Sequence, residues 1–420
     1  MKKLLILMII QLSLYATDAT IDIVKQVREN IKIAVEVFPD DDKEKVFAKQ
    51  IEKMIVADLK VAAVFLVSES DLSPRYNAPI PVLQYRDKNV QLLLRIQSFI
   101  SGGKYGILAD LFDLENNRKL LAKKYSVSSE ARYPFLTHKL TADIAKKLEI
   151  EDLGWMEKFV IFAKNTTPKE SEIVIGDYSL TFTQTIISGG LVLFPKWRDG
   201  EQREFFYTEI GDKPTLYRAN LYTGKKEKVL SSYGMLVCSD VSSDGQTLLL
   251  TMAPDDQPDI YTYGLESKKL TRITDYKGID VNGNFVNDDD EIVFVSDRLG
   301  GPNIFSKKIG SNAVQQMVFK GRNNNFCTSY KNYIAYVARD TNNEFSDNAF
   351  NIYLISTQTD YIRQLTTTGK NLFPRFSPSG DSMLYIKRFE NESALGIIRL
   401  GYNKSFLFPL KTGKLQAIDW

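Results

Sequence analysis

Histidine occurs once in this 420-residue sequence and cysteine twice. Two cysteines exclude a disulfide framework, and one histidine beside them leaves too few ligands for a Cys/His zinc site. Catalysis through a histidine base is nearly excluded on the same count. Charge of one sign is also lacking: 54 basic residues face 52 acidic ones, a formal net of +2. A phosphate backbone demands a cationic surplus, so no nucleic-acid partner is expected. Past the first few residues no apolar run approaches the roughly 18 residues of a membrane-spanning helix. What is present is ample core-forming material, 44% apolar and 11% aromatic, enough for two or three domains of ordinary size.

The amino end reads as an export signal over residues 1–16. Lys2 and Lys3 precede an apolar run from Leu4 to Ile10, extended by Leu12 and Leu14, and small or polar residues follow around Ala16. Leu14 stands where a small residue is usual at a cleavage site, and a retained or lipid-anchored start is the alternative, although no cysteine follows the run. Cleavage near Thr17 would remove two lysines and leave an electrostatically balanced chain without an integral membrane segment. The signal's style points to a periplasm.

Residues 17–153 form the first expected domain, with a flexible arm at its start. Ile31 to Phe38 reads as a strand ended by Pro39, and Asp40, Asp41 and Asp42 suit a helix start. Val46, Phe47, Gln50, Met54, Ala57 and Val61 then lie near a 3.6-residue stripe. Strands follow at Val64 to Val67, Val90 to Ile100, Tyr105 to Leu114 and Lys119 to Val127, the last three separated by Gly102-Gly103 and Asn116-Asn117 turns. Leu136, Leu140, Ile144 and Leu148 mark a closing helix from Tyr133. The pattern predicts helices packed on a mixed sheet.

Residues 154–420 show a different period. Glu204-Phe-Phe-Tyr207, Thr247-Leu-Leu-Leu250, Ile292-Val-Phe-Val295, Ile334-Ala-Tyr-Val337 and Met383-Leu-Tyr-Ile386 are equivalent, with Val160-Ile-Phe162 a weaker sixth. Taking Ile161, Phe206, Leu249, Phe294, Tyr336 and Tyr385 as matching positions, the steps are 45, 43, 45, 42 and 49 residues. Several short strands per unit at this spacing are the signature of propeller blades, since one small sheet cannot cover both its faces but neighbours around an axis can. The fold class expected is an α+β amino-terminal domain followed by an all-β six-bladed β-propeller. Ile418-Asp419-Trp420 resembles only the opening strand of a unit, like Pro195-Lys196-Trp197 and Pro374-Arg375-Phe376, so this tail is expected to complete the first blade.

Pro374-Arg-Phe-Ser-Pro-Ser-Gly-Asp381, the Arg363-Gln-Leu-Thr366 strand end, Asp240-Val-Ser-Ser-Asp-Gly245 and Val295-Ser-Asp-Arg-Leu-Gly-Gly-Pro-Asn-Ile-Phe305 together resemble the blade motif of the TolB family, the periplasmic components of Tol-Pal systems. The resemblance covers essentially the whole chain. Val286-Asn-Asp-Asp-Asp290 and Thr328-Ser-Tyr-Lys-Asn332 depart from the motif at two turns. It implies a non-enzymatic adaptor that supports outer-membrane integrity and constriction during cell division. Its implied partners are Pal, a peptidoglycan-associated lipoprotein, bound through the propeller, and TolA, bound through the mature amino-terminal arm.

The loops entering the inner strands, Tyr233 to Leu236, Asp280 to Asn284, Asn323 to Phe326 and Asn371 to Phe373, mix aromatic, aliphatic and amide groups as a protein interface does. Met235, Leu236, Asp280, Val281, Asn324, Asn325, Leu372 and Phe373 are the candidate contacts for Pal; solvated loops are the plain alternative. Thr20, Ile21, Asp22 and Ile23, which alternate weakly, are the candidate contacts for TolA, by strand addition to another sheet, or else form a first strand of their own domain. A monomer without cofactor, metal or catalytic residues is expected. His138 has no second histidine and reads as a surface or half-buried structural residue. Cys238 and Cys327 fall in different repeats and read as free buried thiols. Asp288, Asp289, Asp290 and Glu291 lack the glycine of a calcium loop and read as a hairpin turn. A secreted propeller enzyme, a glycosidase or lyase working through carboxylates, is the rival reading, and a small-ligand binder a third. Sialidase-type Asp boxes are not matched, because Gly245 follows Asp244 at once, and a Gly-x-Ser-x-Gly elbow with a histidine base is not available.

Overall fold

A computed structural model of the chain describes residues 30–339, 349–359, 361–390 and 392–420. Residues 1–16, expected to be an export signal, and Thr20, Ile21, Asp22 and Ile23 lie outside these residues.

Five strands form the first sheet: β1 (Ile31–Pro39), β2 (Phe65–Glu69), β3 (Leu92–Ser101), β4 (Lys104–Asp113) and β5 (Arg118–Val127), in the order β2-β1-β3-β4-β5. β1 runs parallel to β2 and β3, while β3, β4 and β5 are antiparallel neighbours joined by the glycine and asparagine turns. Gly102, Gly103 and Asn117 take positive φ there, the backbone state those residues tolerate best.

Helix α1 (Lys45–Val61) follows a short turn in which the Asp41 carboxylate accepts the Lys43 N–H. The buried stripe of α1 is Phe47, Ile51, Met54, Ile55, Asp58 and Leu59. Val46, expected on it, is 72% exposed, because the stripe is turned by one residue. α1 and helix α3 (Pro134–Lys147) share one apolar core with β1 and β3. A short helix, α2 (Val82–Asp87), has no sequence periodicity to announce it. Through Tyr85 it covers the opposite side of the sheet, against Ala34, Val90 and Leu93.

Beyond Gly154 the strands form six four-stranded antiparallel blades, the fifth and sixth joined by a single parallel bridge between Phe350 and Lys370. The runs that carry the sequence period are the second strand of each blade, and Ile161, Phe206, Leu249, Phe294, Tyr336 and Tyr385 are all buried. They are covered on both sides, as continuous apolar strands require. The inner strands of blades 2 to 6 are Leu191–Trp197, Leu236–Val241, Asp280–Val286, Arg322–Tyr330 and Lys370–Phe376. Blade 1 takes its inner strand from the chain end: Lys414–Asp419 pairs antiparallel with Val160–Thr167, Ile418 opposite Phe162. Each inner strand touches the inner strands on either side, and the series of contacts returns to its start.

Gly380 shows how tightly the blades meet. It turns at φ +75°, and a Cβ there would fall into the Tyr330 ring of the neighbouring blade. Asn287, Asp288 and Asp289 turn at φ +51°, +55° and +69° in the hairpin between the first two strands of blade 4, and the Asp289 carboxylate accepts the Ser243 N–H and hydroxyl of blade 3.

Candidate partner-binding face

Antiparallel strands send alternate turns to opposite ends of a blade, which gives the wheel two unlike faces. Turns from inner to second strand and from third to outer strand lie on one face, and the amino-terminal domain is seated there. Its contacts include Tyr178, which donates to Asp58, and Lys404, which donates to the Ala63 carbonyl at 3.1 Å. Arg399 of blade 6, fully buried, pairs with Glu151 and lies over the Trp155 ring.

The opposite face carries the loops entering the inner strands and the turns between second and third strands. Tyr233, Met235, Ile279, Leu299, Phe319 and Phe389 are all exposed in these segments, from 46% for Ile279 to 80% for Phe319. Large apolar side chains grouped on one face are a general feature of interaction surfaces.

At the axis of that face lies a cavity of about 200 Å³. Its walls come from the inner strands: Phe194 of blade 2, Met235 and Val237 of blade 3, Val281 and Asn282 of blade 4, Phe326 of blade 5, and Phe373 with Arg375 of blade 6. Arg375 is the charged residue of the lining. The walls depend on an irregularity repeated round the wheel. Every inner strand slips register against its second strand at this depth. On four of the inner strands a non-glycine residue lining the cavity takes a left-handed backbone at the slip: Phe194 (φ +53°), Asn282 (+54°), Phe326 (+48°) and Phe373 (+53°). Bulges re-aim side chains, and a phenylalanine at positive φ is strained, a state that persists where the surrounding structure imposes it. Here the bulges set three aromatic rings in the mouth of the cavity, with Phe326 and Phe373 centroids 4.4 Å apart.

Two residues further along the same strands the lining turns polar. Lys196 reaches Asp419 and Asp240 at 3.1 Å each, and Arg375 lies 3.9 Å from Asp419 and 3.3 Å from the Asn284 amide oxygen. Burial alone would lower the Lys196 pKa, but Asp419 and then Asp240 outweigh it and hold the ammonium above its ordinary value. The belt's two cations and two carboxylates neutralise one another. Cys238 and Cys327 sit beside it as free buried thiols, and burial pushes both up, Cys327 to about 12. Such thiols are chemically quiet. Among the described residues no group of three or more His, Cys, Asp or Glu side chains could hold a metal ion.

Of the residues expected at this surface, Met235, Val281 and Phe373 line the cavity, and Asn325 is half-buried on its inner strand. Leu372 is half-buried against the core between blades 5 and 6. Leu236, Asp280 and Asn324, also expected there, are buried. Leu236 belongs to the blade 3 core; both Asp280 carboxylate oxygens accept from one Arg298 nitrogen, at 3.0 and 3.1 Å; and the Asn324 amide donates to Asn303 at 3.0 Å. Strand positions two apart share a face, so each inner strand gives some residues to the cavity and others to the blade interior. Phe194 and Val237 were not singled out. For Phe194 a signal exists, since Phe194-Pro195-Lys196-Trp197 repeats as Phe373-Pro374-Arg375-Phe376.

A wheel of six sheets with an aromatic cavity on one face and a second domain fixed to the other defines a two-domain β-propeller protein. The chain belongs to the TolB family: residues 154–420 match the TolB beta propeller domain and residues 19–120 the TolB amino-terminal domain. The Tol-Pal system protein TolB of Wolinella succinogenes is 45% identical over 412 residues, 97% of either chain, and that of Campylobacter jejuni is 44% identical over 424 residues, all of both. Among solved structures, TolB from Acinetobacter baumannii superposes with a TM-score of 0.76 over 93% of this chain and 97% of its own, at 23% identity, and shares the fold.

Proposed function

We propose that the chain is the propeller adaptor of a Tol-Pal system, working in the periplasm without catalysing a reaction. Its propeller binds a Pal-like outer-membrane lipoprotein, and its amino-terminal arm, including Thr20, Ile21, Asp22 and Ile23, binds a TolA-like protein of the inner membrane. Serving both at once would support outer-membrane integrity and constriction during division.

The observation that carries the propeller part is the axial cavity with Phe194, Phe326 and Phe373 held at positive φ on the face turned away from the amino-terminal domain. Strain of this kind supports a preformed site: aromatic groups already ordered before a partner arrives cost little entropy on binding. Met235, Val281, Asn325, Leu372 and Phe373, with Phe194 and Phe326, are the proposed contacts, and the exposed Tyr233 and Phe319 form an outer rim. The relatives' names support the system, and the nearly complete mutual coverage supports carrying it over to this chain.

Calorimetry with the soluble domain of the organism's own Pal-like lipoprotein tests the reading. Replacing Phe326 and Phe373 together with alanine is expected to weaken binding by about 2 kcal/mol or more, roughly thirtyfold in Kd, the loss typical of central aromatic anchors. Unchanged affinity in a variant with an unchanged circular dichroism spectrum would remove the cavity from the proposal.

A further inference from the structure

The single histidine of the chain is neither on the surface nor half-buried; it is fully buried between the two domains. His138 projects from α3, and both ring nitrogens face carboxylates. Nδ1 lies 2.9 Å from Asp58 of α1, and Nε2 lies 3.2 Å from Asp177, in the turn after strand Glu170–Gly176 of blade 1. A neutral imidazole has one N–H, so it could satisfy only one carboxylate and would oppose the other with a lone pair. The other oxygen of each carboxylate is already engaged. The other Asp58 oxygen accepts the Tyr178 hydroxyl at 2.5 Å, and Asp177 accepts the Phe182 N–H at 2.6 Å, the Ser179 N–H at 2.8 Å and the Ser179 hydroxyl. The hydrogen-bond count is met when the ring carries both protons.

The groups around the ring agree with that count. Asp58 faces it from α1 and Asp177 and Tyr178 from blade 1; Tyr133, just before α3, feels both carboxylates, and Arg399 of blade 6 acts on Tyr178 from beyond. The Tyr178 ring lies 4.6 Å from the imidazole and Phe135 stands edge-on at 5.8 Å, so water has little access. α1 packs against β1, the central parallel strand of the sheet. The same cluster therefore ties blade 1 to both helices packed on the amino-terminal sheet.

We propose that His138, held as an imidazolium between Asp58 and Asp177, is a positioning group that locks α1 and α3 to blade 1, and that loss of its proton unlocks the two domains. This is independent of which partners the propeller and the arm bind. Burial opposes the charge, but Asp58, followed by the hydrogen bonds to Asp177 and Asp58, raises the His138 pKa to about 9. The folded value lies above the ordinary 6.5 of an unfolded histidine. The lock's contribution to stability is therefore complete below about pH 6.5 and is lost as pH rises through about 9.

Because the chain has one histidine, its imidazole carbon and nitrogen resonances can be followed without assignment ambiguity. They are expected to keep imidazolium shifts at pH 8 and to titrate near 9; a midpoint at or below the ordinary histidine value overturns the proposal. Hydrogen exchange at neutral pH reads the lock itself. In His138→Gln and Tyr178→Phe, amides of α3 and of residues 177–182 are expected to exchange faster by at least about tenfold, while the second strands of blades 3 to 5 stay unchanged. Equal exchange in variant and wild type at the domain junction contradicts it. Should His138→Gln fail to fold, Tyr178→Phe and the wild-type exchange series from pH 7 to 10, corrected for intrinsic rates, decide between the same two outcomes.

Discussion

Deleting Gln416–Trp420 is expected to cost more stability than any single substitution in the propeller. These residues make up most of the inner strand of blade 1, so their loss exposes the edge of Val160–Thr167 and removes the buried Ala417 and Ile418. Asp419 goes with them. Its carboxylate accepts the Trp197 N–H at 2.9 Å and the Lys196 ammonium at 3.1 Å, both on blade 2, and it lies beside Arg375 of blade 6. Removing it leaves buried Lys196 short of a counter-charge, which typically costs about 3–5 kcal/mol. Trp420 adds a hydrogen bond from Nε1 to the Phe376 carbonyl at 2.7 Å and a ring contact with Trp155. A total above about 5 kcal/mol is a large part of ordinary domain stability and lowers the melting temperature by roughly 10 °C or more. Differential scanning calorimetry of the full and shortened chains measures this; coincident melts would mean that the tail does not hold the wheel together.

A second large effect is expected at Arg95→Leu in the amino-terminal sheet. Arg95 on β3 and Glu36 on β1 are 3% and 1% exposed and meet at 2.9 Å. Arg95 also donates to the carbonyls of Ala78, at 2.6 Å, and Tyr76, at 3.2 Å, while Glu36 accepts Tyr85 at 2.5 Å and the Ser73 N–H at 3.0 Å. One ion pair thus ties the irregular segment between β2 and α2 to the sheet. The lone substitution strands a buried carboxylate and should cost about 3–5 kcal/mol in denaturant unfolding, whereas adding Glu36→Gln should restore part of it, because no charge is then left unpaired. A loss below about 1 kcal/mol would show that Glu36 finds another partner.

The contrast between these sites explains what could be read from sequence. The blades were legible because Phe206, Leu249 or Phe294 must be apolar wherever a second strand is covered on both sides, and that need repeats with the blade. The Gly102-Gly103 and Asn116-Asn117 turns were legible for a local reason of the same kind. Asp58 and His138 were not, because their relation joins residues 80 apart and is completed by Asp177 of another domain. A charged residue on the apolar stripe of α1 was the available hint. The cavity lay between these cases. Its loops could be located from the period, but which residue of each faces the axis is set by bulges, and no composition rule places a phenylalanine at positive φ. Leu236, Asp280 and Asn324 turn into the blades for that reason, while finding Phe194 requires the Phe-Pro-x-aromatic repeat to be extended by one position.

The most direct test of the account asks which face of the wheel meets the lipoprotein. Met235, half-exposed at the cavity, and Tyr222, 69% exposed in a turn on the opposite face, can each be replaced by a photo-crosslinking phenylalanine analogue in cells. The account predicts a crosslink to the Pal-like lipoprotein from position 235 and none from 222. Capture of that lipoprotein from 222 alone would contradict it.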